Sequence, residues 1–341
     1  MRGPRTLLAG YATVALLTVL PTIAVRLLDD GSALRGNSAP FAVFALAIAI
    51  MLCAIRPLQL VWQRHPAPLR QLGQDLVAHK VWFLSVALLL LAIPQTLDVA
   101  MHVKRLIPTL HPYYADTALI QVDRALFFGH DAWQVTHAVI GPAGTRMLDA
   151  TYGLWHAVQI SLCMLIVLTP NSRFQLQAAL SFQLVWLGLG ACLAVSLASV
   201  GPCFVHDIFG SNHFDPLMGR LEAIPDLHST RTMRYLLAAR GTNDFAAGIS
   251  AMPSLHVAIA TLAALCIRDR WPHWQWLAWA FAMTIWIASV HLGWHYATDG
   301  MVAAAGTVFI WWVVSRFLEW LNVGTAEQPS PPKPRPPRAV A

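Results

Sequence analysis

The chain has 341 residues, of which 57% are hydrophobic and only 12% charged, and its mean hydropathy is +0.54. Soluble domains carry about 25% charged residues, so this composition excludes an ordinary water-soluble protein and points to an integral membrane protein. The net charge of +6 does not indicate a nucleic-acid partner, because the basic residues form no stripe and lie between apolar runs, where they act as topology signals.

A helix needs roughly 20 apolar residues to cross the hydrocarbon. Such runs are expected near 6–27, 40–61, 81–101, 147–169, 178–200, 252–270, 274–293 and 299–320. The expected fold class is therefore all-α: a polytopic membrane helical bundle of about eight transmembrane helices, forming one embedded domain over 1–324. The first run, after Met1-Arg-Gly-Pro-Arg5, is long for a cleaved signal and lacks a small-residue cleavage site, so an uncleaved first span is expected. Arg2, Arg5, Arg64, Arg70, Lys80, Arg173, Arg268, Arg270, Lys333, Arg335 and Arg338 fall on one side if the spans are even in number. The positive-inside rule makes that side cytoplasmic, with both termini there, in an inner or plasma membrane. Fourteen tryptophans fit interfacial belts. Of the five cysteines, Cys53, Cys163, Cys192 and Cys266 lie in apolar runs as small fillers, and Cys203 lies in a loop with no evident partner.

Two outward segments, about 102–146 and 201–251, are too long to be turns. Apolar residues in the first recur at mixed three-to-four spacing, which predicts an amphipathic helix on the membrane surface. The second opens with Gly201-Pro-Cys-Phe204 and ends at Gly248; long loops beside a site commonly form lids or cradles. The tail, 325–341, is proline-rich and is expected to be an extended cytoplasmic segment without a core.

Chemistry concentrates in 248–300. Gly248-Ile-Ser-Ala-Met-Pro-Ser-Leu-His-Val-Ala258 and His291-Leu-Gly-Trp-His-Tyr-Ala-Thr-Asp299 hold Ser254, His256, His295 and Asp299 in apolar surroundings. Two spans joined by the basic turn Arg268-Asp-Arg-Trp-Pro-His273 return the second histidine to the membrane face of the first, the outer face. His295 and Asp299 are four apart, so on a helix they share a face. A carboxylate bound to one imidazole nitrogen leaves the other basic and nucleophilic; alone, such a pair is more often an interfacial cap without chemistry. Ser254 and His256 open a span after Pro253. A helix N-terminus suits a phosphate oxygen, and histidine supplies a proton near neutral pH. Taken jointly, the two runs place nucleophile and acid on opposite sides of a phosphoryl group. His291 is expected to be a packed interfacial histidine. Lys104, Arg105, Arg124 and Arg240 are outward cations able to neutralise phosphate, each also readable as a solvated charge. No metal or cofactor motif is present, so neither is expected.

Met252-Pro-Ser-Leu-His-Val-Ala258 and Gly293-Trp-His-Tyr-Ala-Thr-Asp299 resemble the second and third signature motifs of the type 2 phosphatidic-acid phosphatase superfamily. The resemblance implies a helical membrane core and a metal-independent mechanism. It makes His295 the nucleophile that forms a phosphohistidine, Asp299 its orienting partner, His256 the leaving-group acid and Ser254 a phosphate ligand. Two features depart from the pattern: the usual Lys-x6-Arg-Pro motif is absent, and Ser289 replaces the arginine six residues before the nucleophile. The chain is more similar to the branch that includes inositol phosphorylceramide synthases, and Lys104 to Trp133 also looks like that branch, which makes Lys104 and Arg124 the candidate replacement cations. The expected function is transfer of a phosphorylated headgroup from a lipid phosphate in the bilayer to an alcohol or lipid acceptor. The alternatives are a lipid-phosphate or isoprenoid-diphosphate phosphatase and, from another class, a transporter or scaffold with an intramembrane ion relay.

Overall fold

The computed structural model describes residues 3–28, 38–170, 173–242 and 247–323; the proline-rich tail lies outside them. All regular structure among these residues is helical. The N-terminal part comprises α1 (Gly3–Leu28), α2 (Ser38–Trp62), α3 (Pro68–Ala78) and α4 (Lys80–Leu110). Then come two short helices, α5 (Asp116–Leu126) and α6 (Ala132–Val139), and the long α7 (Pro142–Leu168). Next, α8 (Arg173–Leu184) continues through a π-helical stretch, Val185–Leu193, into α9 (Ala194–Ser196). Small helices α10 (Val205–Phe209), α11 (Asp215–Glu222) and α12 (His228–Ala238) precede the final three, α13 (Leu255–Arg270), α14 (Gln275–His291) and α15 (Ala297–Trp320).

Five helical stretches among the described residues are long and apolar enough to cross a membrane: Thr6–Leu27, Lys80–Leu110, Pro142–Leu168, Arg173–Ser196 and Ala297–Trp320. They mark an integral membrane protein, and they are fewer than the eight spans expected. The described apolar part of α2 is only Ala49–Trp62. Helices α13 and α14 have 16 and 17 residues, because the histidine motifs occupy the end of each. Pro253 and the Ser254 cap delay the start of α13, and α14 stops at His291 so that Leu292–Tyr296 can turn. At about 1.5 Å per residue these helices fall short of the roughly 30 Å hydrocarbon thickness.

Helix α13 is the axis of the bundle. Its buried residues, among them Val257, Ile259, Leu262, Leu265 and Cys266, point in every direction, as expected of a helix enclosed by neighbours. Those neighbours are α7, α8, α14 and α15. Buried amides supply polar ties where hydrocarbon offers none: Gln183 Nε2 donates to Thr18 Oγ1 (3.0 Å) and Thr96 Oγ1 (3.3 Å), joining α8 to α1 and α4. The expectation of one surface helix over the first outward segment is corrected. Helix α4 runs on to Leu110 and carries Lys104 with it, and α5 and α6 follow as separate short elements. The polarity of α5 is spent inward, with Asp116, Leu119 and Asp123 all buried.

Candidate active site

Buried carboxylates on α5 and α7 hold the loops and helix starts around the motifs. Asp116 accepts hydrogen bonds from Val200 N (3.0 Å), Gly201 N (3.0 Å) and the Tyr296 hydroxyl (2.9 Å). Burial pushes the Asp116 carboxyl up while these donors pull it down; burial, then the carboxylate, push the Tyr296 phenol up. Asp123 accepts from Ala297 N (2.6 Å) and Thr298 N (2.9 Å) and so caps α15, where a negative charge also meets the positive end of the helix dipole. Asp149 does the same for α12, through His228 N (2.7 Å) and Ser229 N (2.9 Å).

A turn around Gly201 splices the motifs together. Ala251 N donates to Ser199 O (2.9 Å), Met252 N to Ser199 Oγ (3.0 Å), and Cys203 N to Gly293 O (2.9 Å). Gly201 has φ +86°, and a Cβ there would collide with Trp294 O and Ala251, so only glycine fits. Cys203 is buried in this knot, and burial pushes its thiol up. Gly248 is a second close approach, since a Cβ would strike the backbone of Lys104 and Arg105 on α4.

The catalytic candidates meet. Asp299 Oδ2 accepts from His295 Nδ1 (3.3 Å) and Tyr296 N (3.1 Å). His295 itself lies in the loop before α15, so the shared-face argument is corrected: the pair meets because Asp299, in the first turn of α15, reaches back across the helix start as a capping residue does. Asp299 is fully buried and His295 is 7% exposed. Ser254 N donates to Asp299 O (3.3 Å), which joins the two motifs directly. The His256 ring packs on Tyr152 (4.5 Å between centroids) and Trp155 (4.2 Å), and its carbonyl accepts from Trp155 Nε1 (2.9 Å). The His256 and His295 rings are 6.3 Å apart. Both line a cavity of about 210 Å³.

Other predicted residues divide between that cavity and its surroundings. Lys104, half-buried, lines it from α4. Ser254 does not line it: its Oγ accepts from Val257 N (3.4 Å) and caps α13. Arg124 is exposed on α5, its Nε donating to Gly129 O (3.1 Å), and does not line it either. Ser289, where an arginine was expected by resemblance, donates to Trp286 O (2.7 Å), and its carbonyl accepts from Trp294 N and His295 N. His291 is packed away from the cavity between α6 and α7. The segment 201–251 does build part of the cavity wall: His228, Thr232 and Leu236, each four apart on α12, all line it. The roles of Asp116, Asp123 and Asp149 as anchors had no sequence signal, because their partners, mostly backbone N–H groups, lie far along the chain.

An imidazole with one nitrogen held by a carboxylate, near a second imidazole on the same largely apolar cavity, suits group transfer at phosphorus. Comparison with protein families matches residues 117–313 to the PAP2 superfamily, more than half of the chain and both motifs. The chain belongs to the PAP2 superfamily. Comparisons with curated proteins and with solved structures returned no match. Members of the PAP2 superfamily are phosphatases, which supports a phosphoric-ester hydrolase in general, and a lipid phosphate is the substrate class the family suggests. Lys104 lies before the matched region, so the cavity of this PAP2 protein draws a cation from α4.

Proposed function

We propose that this PAP2 protein is a metal-independent lipid phosphotransferase working through a phosphohistidine. The observation that carries the reading is the His295–Asp299 pair set opposite His256 in one cavity. Asp299 holds Nδ1–H, which leaves Nε2 with a lone pair for phosphorus. Attack by Nε2 forms the N–P bond and breaks the bond from phosphorus to the lipid oxygen, which takes a proton from His256. An acceptor hydroxyl then attacks phosphorus, gives its proton to His256 and releases His295. Lys104 neutralises the phosphate from within the cavity, Arg124 attracts headgroups at the exposed surface of α5, and Ser254 contributes its hydroxyl proton at the start of α13. The wall formed by α12 favours an acceptor larger than water, which needs a pocket that positions it and excludes solvent.

Residues 1–324 act as one membrane-embedded unit, with both termini cytoplasmic and the cavity on the outer face. A phosphatase that uses only water is the second reading, supported by the family's established chemistry. A transporter or scaffold fits less well, since His295 and Asp299 meet at a helix start and do not continue a polar chain across the bundle.

The deciding experiment supplies labelled donor lipid, varies the acceptor alcohol and follows both products. Ping-pong kinetics with acceptor-dependent product, unaffected by strong chelators, is expected. Free phosphate released at a rate indifferent to every acceptor, with monoesters preferred, would leave only the phosphatase. For topology, Cys203 is too buried to report. Single cysteines at two exposed sites, Ser211→Cys and Asp269→Cys, are made in a protein lacking the exposed Cys53 and Cys192. An impermeant thiol reagent on intact cells should label position 211 alone; labelling of 269 alone would reverse the topology.

A further inference from the structure

A second groove lies at the other end of α4, about 36 Å along the helix axis from Lys104 back to Lys80. It has a volume of about 660 Å³ and is lined by Ile55 and Arg56 of α2, Asp75 of α3, His79, and Val81 and Phe83 of α4. An ion pair joins its sides: Arg56 Nε donates to Asp75 Oδ2 (2.7 Å), and Asp75 Oδ1 accepts from Gln71 Nε2 (2.8 Å). That pair uses Nε alone and leaves the two Nη groups of the exposed Arg56 for another acceptor. Helix α3 is amphipathic, with Leu69, Leu72 and Leu76 at three- and four-residue spacing, yet none of its residues is buried. Leu69 is 82% exposed, and Trp62 at the end of α2 is 90% exposed. An apolar helix face that no protein covers lies in the headgroup boundary of a bilayer, and a terminal tryptophan belongs there too. Between Arg56 and Lys80 the fixed cations Arg56, Arg64, Arg70 and Lys80, all exposed, stand against one carboxylate, Asp75. The Arg56 and Gln71 hydrogen bonds hold that carboxyl below its usual value, so it stays charged and offsets one cation only.

We propose that the groove between α2, α3 and α4 binds an anionic phospholipid of the surrounding leaflet, separately from the cavity of His295. The headgroup phosphate meets the Arg56 guanidinium, and the acyl chains run against the apolar lining that Ile55, Val81 and Phe83 provide. Charge complementarity selects the lipid. A zwitterionic headgroup brings a cation of its own to a surface already rich in cations, whereas an anionic one brings net negative charge. On the proposed topology this end of α4 is cytoplasmic, the side on which anionic lipids concentrate and basic segments beside a span attract them. A lipid seated there touches three helices at once, so it also raises thermal stability.

The test uses the full chain in a neutral detergent, mixed with phosphatidylglycerol or with phosphatidylcholine of the same acyl chains. Retained lipid is counted by native mass spectrometry, and the melting midpoint is measured beside it. Phosphatidylglycerol should be retained in preference and should raise the midpoint more. The double variant Arg70→Gln, Lys80→Gln leaves the Arg56–Asp75 pair in place and should lower that preference about fivefold per charge removed. Arg56→Gln should lower it at least as much. Lys104→Ala, at the other end of α4, should leave the preference intact. Equal retention of the two lipids would overturn the proposal, as would a preference unchanged within about twofold in both groove variants. A preference lost in Lys104→Ala and kept in the groove variants would assign the lipid to the cavity of His295 and overturn it too. So would a changed oligomeric state in the groove variants at unchanged lipid retention, which would assign the face of α3 to a second copy of the chain. The outcome is independent of the reaction at His295.

Discussion

His291 and His295 lie four residues apart on either side of one turn and meet opposite surroundings. On the α6–α7 side, the ring nitrogens of His291 are both occupied, Nδ1 by Thr136 Oγ1 (3.0 Å) and Nε2 by Thr145 Oγ1 (2.9 Å). Its ring stacks on His137 at 3.8 Å, and His137 Nε2 donates to its carbonyl (2.9 Å). On the cavity side, His295 has Nδ1 held by Asp299 and its ring bordering open space. To take up a phosphoryl group His291 would first have to break a hydrogen bond in a packed interior, whereas His295 breaks none. The chemical difference between two identical side chains is decided by what the second nitrogen has left to do.

The most severe test of that contrast is to delete each ring. His295→Ala should lower turnover by at least about 10⁴-fold with the melting midpoint unchanged. His291→Ala should keep turnover within about tenfold and lose roughly 2 kcal/mol of stability, for two severed hydrogen bonds and lost packing. A folded His291→Ala protein without activity would break the comparison. Next comes Asp299→Asn, expected to reduce kcat by about 10³- to 10⁴-fold without loss of helicity by circular dichroism, because the amide no longer fixes the tautomer or supports an imidazolium. Smaller again is Asp123→Ala. Removing the cap of α15 should cost about 1–2 kcal/mol in denaturant unfolding and lower kcat about tenfold, as the His295–Asp299 spacing loosens. The cations repeat the contrast on a lesser scale. Lys104→Ala, within the cavity, should raise KM about tenfold, and Arg124→Ala, already donating to Gly129 O, about twofold to threefold.

The candidate site was legible because its parts are local. Ser254 caps α13 as the Pro-Ser start predicts, and His295 finds Asp299 within five residues, though by capping rather than by a common helical face. The packed state of His291 was also expected. What escaped reading depends on chain segments far apart in sequence. Nothing near Asp116 indicates that its donors are Val200, Gly201 and Tyr296, and a carboxylate that binds backbone N–H groups leaves no residue pattern at the other end. The described residues carry five helices of spanning length where eight spans were expected. Hydropathy measures an apolar run, but the motif at one end of α13 and of α14 takes residues out of the helix while keeping them apolar.

The Asp123 clamp on α15 also imposes a timetable on biosynthesis. Its partners, Ala297 and Thr298, lie 174 and 175 residues downstream, so Asp123 waits through about half of the chain's synthesis with its acceptor atoms unanswered. Closing so long a loop is a late event, and the loop that carries His295, the proposed nucleophile, acquires its shape only when that closure occurs. On the proposed mechanism, the His295–Asp299 pair is completed only when the last helix docks.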